Sequence, residues 1–123
     1  VIIAVCEVAR MLSDRVGLPA STSALFIHMG ERWDGNGVPG RVRRDELPLP
    51  MRIVQVARDA ALQRLLRGEQ FAAEVIRERA GSAFDPDIAV PLADHAAAIL
   101  AIDVDRSVCK TVLTCEPVPR RLL

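Results

Sequence analysis

Residues able to do chemistry are few in this chain. There are two histidines, His28 and His95, and three cysteines, Cys6, Cys109 and Cys115, among 123 residues. The cysteine number is odd, and no Cys-x-x-Cys or Cys/His zinc spacing occurs in the sequence. The cysteines therefore read as small buried side chains in a reducing cytosol, and the chain as cytoplasmic. The densest polar stretch is Glu31-Arg-Trp-Asp-Gly-Asn-Gly-Val-Pro-Gly40. It holds the only tryptophan, Trp33, and two turn dipeptides, Asp34-Gly35 and Asn36-Gly37, and Pro39-Gly40 closes it. Glycine supplies positive φ without steric cost, and Asn or Asp tolerates the same region. A rigid surface loop follows, of the kind on which a site is placed. The plain alternative is a helix–helix connection plugged by tryptophan, with Trp33 beneath Gly35 and Gly37. Glu31 and Arg52 bracket the loop. They are expected to pair, or to bond loop backbone, and so hold its ends together.

Helices must position that loop. Val1, Val5, Val8 and Leu12 recur at helical spacing, with Gly17 as a C-terminal cap and Pro19 beyond it. Ser21-Thr-Ser23 offers cap oxygens for a short second helix, with Leu25, Phe26 and Met29 as its buried face. Pro48 or Pro50 opens a third helix, where a missing N–H costs nothing. Ile53, Val54, Ala57, Ala60, Ala61 and Leu65 form its apolar stripe, and Gly68 ends it. A fourth helix carries Phe71, Ala72, Val75 and Ile76 and stops at Gly81. Asp85-Pro86-Asp87 reads as cap, first-turn proline and acidic first turn of a fifth helix, which continues through Ile88, Leu92, Ala96, Ile99 and Leu100. Asp103-Val-Asp105 breaks it. Ser107 caps a sixth helix through Val108, Val112 and Cys115, ended by Pro117 and Pro119. No segment alternates usefully with period two, so the fold class is all-α.

Composition excludes several functions. Half of the residues (50%) are hydrophobic and 26% charged, as in an ordinary globule. Aromatics are only 3%, with no tyrosine, so the core must be aliphatic. Sixteen basic and sixteen acidic residues cancel, which leaves no footprint for direct nucleic-acid or anionic-membrane binding. The run Arg41-Val-Arg-Arg44 is followed at once by Asp45-Glu46 and reads as a solvated loop. Ala96 to Ile102 is too short to span a membrane. The start, Val1-Ile-Ile-Ala-Val5, has no basic leader and is expected to be a cut edge entering mid-helix.

Three segments in series resemble the HD-GYP domain of the HD phosphohydrolases. They are Glu31-Arg-Trp-Asp-Gly-x-Gly-x-Pro39, Glu46-Leu-Pro-Leu-Pro-x-Arg-Ile-Val-x-Val-Ala57 and Arg79-Ala-Gly-x-x-Phe-Asp-Pro86. The resemblance implies a helical bundle, incomplete at its N-terminus, with the glycine-rich loop between its second and third helices. It spans residues 1–102; residues 103–123 read as a C-terminal helix and connector. That tail is similar to one found after degenerate HD-GYP-like domains in large bacterial regulators. The best-known family members hydrolyse cyclic di-GMP at a two- or three-metal centre.

The departures from the family decide the function. A bimetal hydrolase needs carboxylates and imidazoles converging on metals that activate water. The resemblance puts paired histidines before the glutamate that aligns with Glu31; this chain has Met29 and Gly30 there. His28 is displaced by one position, a turn of about 100° on a helix. The family's metal-binding aspartate aligns with Arg58, whose guanidinium repels cations. The upstream histidine aligns with Val5, and the family tyrosine with Val38. No His-Asp dipeptide is present, and the family's phosphate-contacting segment is missing after Ala60-Ala61. The expectation is therefore a catalytically inactive regulatory and interaction domain of a larger bacterial signalling protein, with no cofactor and no catalytic residue. Its loop, Glu31, Arg32, Trp33, Asp34, Gly35, Gly37 and Pro39, together with Arg52, would serve as scaffold and docking motif. Its partner would be a second copy or a neighbouring HD-GYP-type domain, with no membrane involved. One alternative is a metal-dependent phosphodiesterase with an Fe or Mn bimetal centre completed by residues outside this chain; its only candidates here are His28, Glu31 and Asp59. Another is a nucleotide-sensing module without catalysis, which Arg52 and Arg58 would serve. His28 itself is expected to bond a backbone carbonyl at a helix end, and His95 to be partly exposed.

Overall fold

The computed structural model describes residues 1–101 and 107–115. Among them the chain forms seven α-helices and no named strand: α1 (Ile2–Arg15), α2 (Ala20–Ser23), α3 (Leu49–Arg67), α4 (Glu69–Arg79), α5 (Pro86–Asp94), α6 (Ala96–Ile99) and α7 (Val108–Thr114). Two 3-10 turns, Ala24–His28 and Arg44–Glu46, flank the glycine-rich loop. None of the described helices is long and apolar enough to cross a membrane.

The core lies between α3, α4, α5 and α6. Val56 and Ala60 meet Ala72 and Ile76, then Phe84, Ala89, Ala93, Ala96 and Leu100. Alanine predominates, which lets helix backbones approach closely. Leu47, just before α3, is fully buried. Asp85 caps α5 by accepting from the Asp87 amide at 2.9 Å, and Pro86 follows in the first turn. Both features agree with the sequence. The fifth helix is shorter than expected, because the path turns at His95 (φ −114°) before α6. There the imidazole Nδ1 sits 3.0 Å from the Pro91 carbonyl, which also accepts the His95 amide.

Helix α1 packs on α2 and the first 3-10 turn. Its inward residues are Cys6 and Ser13, and the Ser13 and Ser23 hydroxyls bond at 2.8 Å. Ser23 is therefore a buried tie, and Pro19 stands at the cap where Ser21 to Ser23 were expected to act. Val5, Val8 and Leu12 do form a stripe, but it faces outward, each 48% exposed or more. Leu25, Phe26 and Met29 are only half-buried.

The α3 stripe faces outward as well. Ala60 is buried, but Ile53, Val54, Ala57, Ala61 and Leu65 are exposed. The inward face is mixed: Met51, Gln55, Val56 and Ala60. Polar residues on that face find polar partners, so apolar periodicity misses it. Cys109 and Cys115 are also exposed, on an α7 with no buried residue. Asp103, Asp105, Pro117 and Pro119 lie outside the described residues.

Glycines make the loop possible in two ways. Gly35 has φ of +81°, as the Asp-Gly dipeptide predicts. Gly37 acts through close approach instead. A Cβ there would meet the Gly30 carbonyl oxygen at 2.5 Å and the Arg32 nitrogen at 2.6 Å. The two strands of the loop cross at this point, with the Val38 amide donating to the Gly30 carbonyl at 2.8 Å. Trp33 is half-buried rather than sealed beneath the glycines.

Gly37→Ala should therefore destabilise the fold by about 1–3 kcal/mol or more, since backbone must move to admit the methyl. Trp33→Ala should cost about 1–3 kcal/mol, less than the ~3–5 kcal/mol of a fully buried aromatic. Urea melts followed by circular dichroism check both. An unchanged midpoint for Gly37→Ala would show that the crossing is not part of the cooperative fold.

Candidate functional site

The loop is pinned to the rest of the chain at four points. Glu31 is buried, and its carboxylate accepts from the Gly40 amide at 3.0 Å and the Arg41 amide at 3.1 Å. Its carbonyl accepts from Gln55 Nε2 at 2.7 Å, which ties the loop entrance to α3. The Trp33 and Asp34 amides donate to the Ala83 and Ser82 carbonyls in the α4–α5 turn, at 3.1 and 2.9 Å. Arg52 completes the set. Its Nε donates to the Leu47 carbonyl at 3.0 Å, and one terminal nitrogen reaches Asp85 at 2.8 Å. Its guanidinium lies over the Trp33 ring, 5.8 Å from the centroid. Glu31 and Arg52 thus do not pair with each other. Each bonds loop backbone, the second of the two expected arrangements.

At the tip, Arg32 grips Asp34 through two bonds, of 3.2 and 2.9 Å, and the Asn36 amide donates to the same carboxylate at 2.9 Å. Burial opposes ionisation of Asp34. The Arg32 side-chain bond, the Asn36 amide and the Arg32 charge outweigh it and hold this carboxyl below its ordinary value of 3.8. Pro39 is exposed and lines a cleft with Ile3, Cys6 and Glu7 of α1. The basic run Arg41, Arg43 and Arg44 is exposed, as a solvated loop should be.

A pocket of about 310 Å³ opens on the inner side of this loop. Glu31 and Asp59 both line it, together with Arg32, Arg58 and Arg79. Ile2, Met29, Ala83 and Phe84 supply an apolar wall. Asp59 is tied to Arg79 at 2.5 Å. His28 is not part of the lining, so the conditional ligand set His28, Glu31 and Asp59 is not brought together. The His28 imidazole makes no hydrogen bond among the described residues; the ring that reaches a backbone carbonyl is that of His95, which is exposed as expected.

These residues do not fit a two-metal centre. Both Glu31 oxygens face backbone amides, Asp59 faces a guanidinium, and Arg58 brings a cation into the same space. No group of three His, Cys, Asp or Glu that could hold a metal occurs among the described residues. Sequence reasoning missed Gln55, Arg79 and the contact between Arg52 and Asp85. A glutamine inside an otherwise apolar helical stretch was the available signal for Gln55.

A family model described as HD domain matches residues 5–88, more than half of the chain. No curated protein and no solved structure matches the chain.

Asp85 is 2% exposed and Arg52 17%, so the pair is largely withdrawn from water. Arg52→Ala should cost about 3 kcal/mol, because a nearly buried carboxylate loses its partner. Arg52→Lys should recover only part of that, since an ammonium cannot serve Leu47, Asp85 and Trp33 together. A variant as stable as the wild type in thermal melts would refute the role. Asp34 makes a separate prediction. A depressed carboxyl contributes stability that is present above its unfolded pKa and lost as pH falls through the folded one. Acid loosening of the loop should therefore set in through the ordinary carboxylate range and be complete only below it, and Arg32→Ala should move its completion to higher pH. Amide exchange at Asn36 across an acid series reads this.

Proposed function

The chain belongs to the HD domain family, and from that premise we propose that it is a catalytically silent, HD-GYP-like domain that regulates by contact. The observation carrying the first half is the state of the retained carboxylates. Glu31 is engaged by two loop amides and Asp59 by Arg79, while Arg58 occupies the same pocket. In this arrangement Glu31 holds the loop and Asp59 ties α3 to α4. Carboxylates that activate a metal-bound water must instead face the metal.

The second half rests on surface. The outward stripes of α1 and of α3 are apolar, with Val5, Val8, Leu12, Val54 and Leu65 all exposed. Soluble monomers rarely leave large contiguous apolar patches open. With sixteen charges of each sign, net repulsion does not oppose association. The reading is a domain that docks through α1 onto a second copy or a neighbouring domain of similar type, within a larger bacterial signalling protein. The motif series and the resemblance of the tail support that setting.

Dialysis against Mn²⁺ or Fe²⁺ followed by elemental analysis should leave less than one metal per chain, with no turnover of cyclic di-GMP. Two tightly held metals, or turnover, would sink the silent reading. Light scattering across a dilution series should show reversible association, and Val5→Glu should abolish it without loss of helix content. A strict monomer at high concentration, unchanged by Val5→Glu, would defeat docking through α1.

A further inference from the structure

The same pocket offers hydrogen-bond donors that its own carboxylates do not use. Its two carboxylates already have partners: Glu31 in the Gly40 and Arg41 amides, Asp59 in Arg79. Arg32 is neutralised by Asp34. Arg58 is different. It lines the pocket from α3, is exposed, and has no partner among the described residues. Its helical neighbours three and four residues away are Val54, Gln55, Ala61 and Leu62, none of them acidic. Arg58 is thus the pocket guanidinium with no carboxylate of its own among the described residues, while Glu31 keeps its charge against neutral amides and the formal charges of Arg32, Arg58 and Arg79 balance those of Glu31, Asp34 and Asp59. A guanidinium presents five N–H donors in a fixed fork that matches two oxygens of a carboxylate or phosphate. Arg79 bonds Asp59 through one terminal nitrogen and is itself half-exposed, so it retains donors for a further oxygen. Beside these cations stand Ile2, Met29, Ala83 and Phe84. That wall suits an apolar portion of a ligand, and a cavity of about 310 Å³ suits a small one.

We propose that this pocket binds a small organic oxyanion, with Arg58 as its principal contact and Arg79 as the second. The site takes an organic phosphate or carboxylate through the same fork, and the apolar wall distinguishes it from a bare inorganic ion. The proposal rests on the reading that no metal centre forms here.

The probes are phenyl phosphate, benzoate and inorganic phosphate, titrated calorimetrically into the full chain at fixed ionic strength. Phenyl phosphate, benzoate or both should bind at one site per chain, more tightly than inorganic phosphate; which of the two is tighter assigns the headgroup. Arg58→Gln should weaken binding at least about tenfold, the loss expected for a charge-assisted contact. Arg10→Gln, on the outer side of α1, should leave it unchanged. Amide shifts at Arg58, Arg79 and Ala83 should follow the titration. Absence of saturable binding by both organic probes, or binding indifferent to Arg58→Gln, would overturn the oxyanion site and leave the silent reading standing. Binding that appears only with stoichiometric Mn²⁺ would overturn both.

Discussion

Arg52 is the interaction on which the arrangement depends. It stands in the first turns of α3, yet it touches three separate parts of the chain. It holds the Leu47 carbonyl before its own helix, the Asp85 carboxylate that caps α5, and the Trp33 face in the loop. Asp85 in turn receives the Asp87 amide, so one carboxylate ends a helix and anchors a guanidinium. A charge pair this far from water stabilises only when its remaining donors and acceptors are met. Here they are met by backbone, which makes the pair a positional constraint. A surface pair such as Arg10 and Asp14 carries no such consequence, being solvated and local.

With that clamp set, the loop follows from backbone accounting. Entering and leaving strands cross at Gly30 and Gly37, and the exit is held by the Glu31 carboxylate. The far side is tied to the α4–α5 turn through Trp33 and Asp34. The three sequence segments that carry the family resemblance are thus the three pieces that Arg52, Glu31 and these amides bring together. Their residue types answer to the requirements of that junction, which persist whether or not chemistry occurs in the pocket beside it.

Much of this was legible in the sequence, and what was not has physical causes. Caps and breaks were readable at Gly68, Asp85 and Pro86 because their signals are local. Helical spacing was readable in α1 and α3, but periodicity reports a face without saying what covers it. In α3 the covered face carries Gln55, whose partner lies 24 residues earlier in the chain. In α1 it carries Ser13, tied to another serine. Both rank as polar in any apolar template, so the valines and leucines that spacing picks out lie on the outward sides. Arg79 was legible only as part of a motif; its contact with Asp59 depends on how α3 and α4 pack. The turn at His95 depends on a ring reaching back to the Pro91 carbonyl, which spacing does not encode.

Gly30, which the resemblance aligns with a family histidine, is also bound to the shape of the loop. The Cα of Gly30 lies so close to the crossing strand that a Cβ would meet the Val38 carbonyl oxygen at 2.5 Å. An imidazole at this position therefore requires the crossing to open. Opening it strains the Val38-to-Gly30 hydrogen bond and the Glu31 contacts with Gly40 and Arg41 a few residues away. Arg58, which lines the same pocket, adds an electrostatic obstacle. Steric closure at Gly30 and the guanidinium of Arg58 are independent obstacles to a cation in this pocket. Placing a histidine at position 30 alone leaves the charge in place. Replacing Arg58 by aspartate alone leaves the glycine crossing shut. A metal-competent pocket would need the loop and α3 to change together, and the loop is held by the same contacts that hold the fold.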